Sequence, residues 1–306
     1  MAIVIDTDGG IDDAVALWWA VTHLDVHAVT TVWGNGDAAM ATRSVLTVLA
    51  AAGRLDVPVV VGADGPIAPA PQLDRPDWIH GRDGLGNTNR TPPDVAVVPT
   101  DAASFLVSLP DGTDLVTIGP LTNVAAALRR DRSLASRLGR LVVMGGVARP
   151  PGNARPSGEA NIAHDPTAAQ EVLSSEWSEP PLLVGLDVTH RATLTDAEFG
   201  LLAEHRNDAA AFLDAPLRFY RDGGSRFTGD ECPCHDLLAV LALADPAILT
   251  DAPVLPVAVD CGGGPAWGTT VVDLRGFDAE PGFSRCLVAL DVDAARFRAE
   301  VRALFS

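Results

Sequence analysis

A chain of 306 residues with 47% hydrophobic side chains can bury a large core, which excludes an intrinsically disordered polymer. A net charge of −18 excludes the basic face that a nucleic-acid polymer or an anionic membrane requires, and leaves a small neutral ligand open. No uncharged apolar run reaches the roughly 18 residues of a membrane-spanning helix, so no transmembrane segment is expected.

The chain opens on MAIVID without the basic segment and cleavage site of a signal peptide, so a cytoplasmic location is expected. Apolar runs rich in Val and Ile predict strands over 2–6, 26–33, 57–61, 114–118, 141–145 and 182–186. Helical patterns fall between them, over 13–22, 37–52, 101–109, 122–130 and 165–174. Strands that are apolar along their whole length and alternate with helices predict an α/β fold, with a mainly parallel central sheet covered by helices on both faces. Gly- and Pro-rich stretches near 62–76, 81–93 and 148–158 read as long loops, because composition does not shift across them. The segment 195–245 reads as mostly helical, strands recur near 254–260, 268–274 and 286–290, and a helix over 293–304 closes the chain. With no internal repeat, one domain over 1–306 is the economical expectation. Cys232, Cys234, Cys261 and Cys286 show neither CxxC nor zinc-ligand spacing and read as reduced thiols.

The chemistry concentrates in VIDTDGGIDDAVALWWA (4–20), where Asp6, Asp8, Asp12 and Asp13 fall between an apolar strand and an apolar helix. Asp6 and Asp8, two apart in a strand, share a face, while Asp12 and Asp13 begin the helix after the Gly9-Gly10 turn. The end of a central strand is where open α/β sheets place ligands. Two carboxylates about 4 Å apart repel by roughly 4 kcal/mol at an effective dielectric near 20. Such a group must protonate or take up a cation, and an all-oxygen donor set suits Ca²⁺ or Mg²⁺. The spacing is not that of an EF-hand, since Gly10 and Leu17 stand where loop ligands are needed, and the GxGxxG of dinucleotide sites is missing. The Asp-x-Asp pair also resembles that of the haloacid-dehalogenase phosphotransferases. That class uses a lysine for the phosphate, whereas all 22 basic residues here are arginine.

A broader resemblance runs down the chain. DTDGGIDDAVAL resembles the DTDPGIDDA signature of the inosine-uridine preferring nucleoside hydrolases. VWGNGD (32–37), HGRDGLG (80–86), TIGPLTNVAAAL (117–128), VVMGGVARPPGNARPSGEANIAHDPTAAQEVL (142–173) and CPCHDLLAVLALADP (232–246) are similar to that family's later motifs, in order. The resemblance implies a Rossmann-like core and hydrolysis of the N-ribosidic bond of a ribonucleoside, in nucleoside salvage. It implies a Ca²⁺ ion held by Asp8, Asp13, Asp236 and the backbone carbonyl of Thr122. Asp8 would double as general base toward the attacking water, and His235 would be the acid for the leaving base. Asp12, Asn35, His80, Met144, Asn153, Glu159 and Asn161 would line the substrate, with Asp6 supporting from behind. It also implies a homodimer or homotetramer. A nucleoside- or ribose-binding protein without turnover is the alternative from another class. Gly9 stands where the family has proline, which predicts a looser turn and weaker metal binding. Trp78, Phe219, Tyr220, Phe227 and Trp267 are candidates for stacking on the base. His164 before Asp165-Pro166 reads as part of a helix start, and His23, His27, His190 and His205 carry no motif.

Overall fold

The computed structural model describes residues 2–71, 73–228, 231–276 and 280–306, with the backbone alone at 225–228. Its apolar runs pair into one nine-stranded sheet. In chain order the strands are β1 (Ile3–Thr7), β2 (Val26–Thr31), β3 (Val59–Val61), β4 (Asp114–Thr117), β5 (Leu141–Met144), β6 (Leu182–Val184), β7 (Val254–Val259), β8 (Thr270–Val272) and β9 (Ser284–Val288). Across the sheet the order is β8-β7-β9-β6-β5-β4-β1-β2-β3. From β9 to β3 neighbouring strands are parallel, while β7 and β8 add an antiparallel edge.

The sheet separates two apolar cores, as a pleat with period two requires. Ile3 and Ile5 of β1 pack into one core and Val4 into the other; Val142 and Val143 of β5 divide in the same way. The first core takes helices α1 (Ile11–His23) and α2 (Ala38–Ala51), and the second takes α3 (Thr122–Arg130) and α4 (Pro166–Leu173). Helices α5 (Asp208–Thr228), α6 (His235–Ala244) and α7 (Ala294–Phe305) complete the first layer. α4 starts as its sequence predicts, with Asp165 accepting the Ala168 N–H at 3.1 Å and Pro166 in the first turn.

The stretch 195–245 is mostly helical, as its sequence predicts, in three separate helices, Asp196–Ala203, α5 and α6, with Cys232–Pro233 pairing with Thr193–Leu194 before the last. Pro233 lacks the N–H that a continuing helix needs. β9 enters between β6 and β7, so the last strand of this sheet joins the parallel block.

The strand order reverses between β1 and β4, because the chain steps from β1 outward to β2 and β3 and then returns to β1's other side. Loops after β1, β2, β4 and β5 therefore leave one edge of the sheet around a crevice. Among the described residues no helix is long and apolar enough to cross a membrane.

Candidate active site

Asp8 lies just past the end of β1, and α1 begins three residues later. The turn between them is built on glycine. Gly9 has φ +72°, and Gly10 is so enclosed that a Cβ there would sit 2.5 Å from Asn35 Nδ2 and 2.6 Å from His80 Nδ1. Proline, fixed near φ −65°, could not adopt the Gly9 conformation. Nor is the turn loose: a Cβ on Gly9 would lie 2.6 Å from Ala41 Cα.

This turn brings Asp8, Asp12 and Asp13 into a buried group with Asp236, from the first turn of α6. Oxygens of Asp12, Asp13 and Asp236 lie within 4.8 Å of one another, and the Asp13 carboxyl is in hydrogen-bonding contact with both Asp8 and Asp236. Asp13 accepts from the Thr7 hydroxyl, from Gly9 N at 3.2 Å and from Gly10 N at 2.8 Å. Asp8 is gripped at both oxygens by Asn35, through its backbone N at 2.9 Å and its Nδ2 at 3.0 Å. Asp12 accepts from the Tyr220 hydroxyl at 3.3 Å. Burial and then the neighbouring Asp13 push Asp12 up to about 8. Burial, followed by repulsion from the other carboxylates, drives Asp8 and Asp236 well above the usual range. Among the described residues no arginine forms an ion pair with any of the four; the nearest ring nitrogen is His80 Nδ1, 3.9 Å from Asp12. Buried, all-oxygen and without a built-in positive charge, the donor set fits a hard divalent cation and not a soft one.

Asp6 stands apart. It shares the face of Val4, and takes Asn123 Nδ2 of α3 at 2.7 Å together with the Thr30 hydroxyl. Thr7, on the opposite face, is the strand residue that reaches Asp13. Burial raises Asp6 to about 7, against the lowering effect of those two donors. The fourth carboxylate of the cluster is thus Asp236, not Asp6.

Two imidazoles flank the group. His80 ends a short helix (Asp77–His80), and its Nδ1 accepts the Ile11 N–H at 3.1 Å, which leaves its ring proton on Nε2. His235 opens α6 with Nδ1 2.8 Å from the Thr189 hydroxyl. Burial lowers both to about 3, so both rings are neutral in the free protein. The His190 ring meets His235 edge-on at 5.7 Å, a neighbour that no motif signals.

The loop after β5 supplies the other predicted residues. Glu159 is buried and caps the Ala160–His164 helix through Asn161 N and Ile162 N, while also accepting Gly146 N at 3.0 Å. Asn161 Nδ2 spans the carbonyls of Ile118 (3.3 Å) and Met144 (3.2 Å) and so ties the ends of β4 and β5 together. Asn153 is exposed and its Oδ1 accepts the Ala160 N–H at 2.9 Å, a contact that shapes the loop. Thr122 opens α3, its hydroxyl donating to Asp165 at 2.8 Å and accepting from Trp33 Nε1 at 3.0 Å.

Of the aromatic candidates Tyr220 contacts the carboxylates, and its ring lies 5.4 Å from that of His80. Trp267 is buried, Trp78 is exposed, Phe219 packs at the margin of the first core, and the Phe227 side chain lies outside the described residues. Residues that the sequence reading missed include Thr7, Asn123 and Thr189. The first two lie inside the quoted motifs DTD and PLTN, so a polar side chain there was a usable signal; Thr189 had none. All four cysteines are free thiols.

A crevice at a sheet's switch point, with clustered carboxylates and two neutral imidazoles, is the architecture of a hydrolytic enzyme acting on a small polar substrate. The model of the inosine-uridine preferring nucleoside hydrolases matches residues 3–299, and the chain belongs to that family. It is 39% identical over 81% of its length to a probable uridine nucleosidase 2 of Oryza sativa subsp. japonica, covering 75% of that protein. It is also 37% identical to the non-specific ribonucleoside hydrolase RihC of Escherichia coli (strain SMS-3-5 / SECEC), across 100% of this chain and 99% of that one. The solved plant nucleoside hydrolase PpNRh1 superposes with TM-score 0.92 at 31% identity, covering 99% of this chain and 98% of its own. An inosine-guanosine nucleoside hydrolase superposes with TM-score 0.90 at 30% identity, over 99% and 98% of the two chains. The protein is accordingly a nucleoside hydrolase, cleaving the N-glycosidic bond of ribonucleosides, in a family that depends on metal.

Proposed function

We propose that this chain hydrolyses ribonucleosides, uridine among them, at a Ca²⁺ site formed by Asp8, Asp13 and Asp236 with the Thr122 carbonyl. The observation that carries this reading is the buried carboxylate group, which no arginine among the described residues neutralises. When bound, calcium supplies a Lewis acid that lowers the pKa of water in its coordination sphere.

Asp8, fixed by Asn35, takes a proton from the attacking water as its oxygen bonds to C1′ and the C1′–N electron pair leaves with the base. The surrounding carboxylates stabilise the positive charge that builds on the sugar in an oxocarbenium-like transition state. His235 serves the leaving base. Its Nδ1 lies 2.8 Å from the Thr189 hydroxyl; the tautomer in which that hydroxyl donates would put the single ring proton on Nε2, available to the departing nitrogen. His80 offers a second Nε2 proton in the same neighbourhood. Asp12, Asn35, Met144, Asn153, Glu159 and Asn161 would engage the ribose hydroxyls. Free base and ribose as products suit nucleoside salvage.

Ribose release from uridine, inosine, cytidine and adenosine, with and without chelator, tests the proposal. We expect turnover of uridine that chelation abolishes and calcium restores. Activity undiminished by exhaustive calcium removal overturns the metal reading, and binding of nucleosides without any ribose release overturns the catalytic one.

A further inference from the structure

We infer that Gly9 is a positioning residue for the cation site, holding Asp13 through a backbone N–H that only this turn geometry presents; the inference rests on the calcium reading above. Asp13 touches both Asp8 and Asp236, so its orientation sets the shape of the whole donor group. Its Oδ1 receives the Thr7 hydroxyl and Gly9 N (3.2 Å), and its Oδ2 receives Gly10 N (2.8 Å). The Gly9 N–H is shared with Thr7 Oγ1, also at 3.2 Å, which closes a small ring of donors around one carboxylate oxygen.

Two close approaches leave no room for a side chain in this turn. On one side a Cβ at Gly9 would lie 2.6 Å from the Ala41 Cα of α2. On the other, the Gly9 carbonyl is so close to Gly84 that a Cβ on Gly84 would fall 2.4 Å from it. The turn is therefore enclosed between α2 and the loop that follows His80, with Gly9 at φ +72°. Glycine is the residue that adopts this φ without strain and still carries an N–H. A proline at this position gives up both. The glycine therefore adds a hold on a cation ligand, and hydrogen bonds of this kind to metal ligands are typically worth roughly 10–100-fold in affinity.

The test is calcium titration calorimetry on the full chain and on Gly9→Pro, after each has been melted in chelator. We expect Gly9→Pro to bind calcium roughly ten-fold or more weakly. A variant that melts lower in chelator yet keeps wild-type calcium affinity overturns the inference, because Gly9 would then serve stability alone. Should Gly9→Pro not fold, amide hydrogen exchange of the wild type in chelator decides. The Gly9 amide is expected to be protected and to lose that protection in Asp13→Ala; an amide that exchanges freely, or that is indifferent to Asp13→Ala, overturns it. A wild type that binds no calcium sinks the metal reading itself, and the exchange experiment still reports on the Gly9–Asp13 contact.

Discussion

Two buried carboxylate sites in this molecule solve the same electrostatic problem in opposite ways. Glu198, in the first turn of the Asp196–Ala203 helix, is fully buried. Burial alone would raise its pKa, but the Thr195 hydroxyl and N–H and the Arg302 guanidinium at 2.7 Å outweigh that and hold it below its ordinary value. Asp8, Asp12, Asp13 and Asp236 are equally hidden from solvent but lie deeper in the protein, receive few donors relative to their number, and rise. A carboxylate that serves the fold brings its counter-charge in the sequence. The cluster in the crevice leaves that charge to come from solvent, and this separates a site from a structural ion pair.

Substitutions at the two sites should therefore separate catalysis from stability. Asp8→Ala removes base and cation ligand together and is expected to lower kcat by at least about 10³-fold on uridine, read by ribose release. Loss of less than about ten-fold would remove Asp8 from the base role. His235→Ala is expected to cost roughly 10²-fold on uridine but only a few-fold on a nitrophenyl riboside, whose leaving group needs no proton. Equal losses on the two substrates would show that His235 does not serve the leaving base. At the other site, Glu198→Ala should leave kcat unchanged and destabilise the fold by about 1–2 kcal/mol, through loss of the capping contacts to Thr195. A drop in kcat at constant stability would break the contrast.

How much of this was legible in the sequence follows from distance along the chain. The turn 6–13 is contiguous, so its acidity and its place at a strand end could be read directly, and the late His235-Asp236 pair stood in a recognisable motif. The parallel core was equally legible, because its strands are apolar from end to end and carry their own signal. What the sequence left hidden were contacts made by a single side chain across a long separation. Tyr220 reaches Asp12 from 208 positions away, and no periodicity marks it. The face taken by Asp6 was misjudged because Asp8 lies beyond the strand's last residue, where alternation no longer applies. Gly9 read as a loosened proline, since a turn at positive φ enclosed by Ala41 and Gly84 belongs to packing and not to local sequence. The insertion of β9 beside β6 was invisible for a similar reason: the two pair over only two residues, and that pairing is decided by layers assembled far apart in the chain.

The pH response provides the finest test of the contrast. In the metal-free protein Asp12 has its pKa raised from 3.8 to about 8, and Asp6 from 3.8 to about 7. The folded state then binds protons that the unfolded chain has released. The stabilising contribution of these groups is full below about pH 4 and is lost as pH rises through about 7 and 8. In chelator, the melting temperature should therefore fall from about pH 4 to about pH 8 and level off above that. Calcium binds the ionised carboxylates and displaces their protons, so its affinity should climb over the same interval. At a calcium concentration 100 times the Kd, the stabilisation is about 2.7 kcal/mol. The gap in melting temperature between calcium and chelator at fixed calcium should thus widen as pH rises to about 8. Glu198→Ala should leave that widening untouched, because the Glu198 proton is released at low pH in both states of the protein. Asp12→Asn should flatten it, by removing one of the protons that the cation displaces. A gap that stays constant across the interval would mean that the cluster is already ionised without metal, and the contrast between the two sites would fail at its electrostatic root.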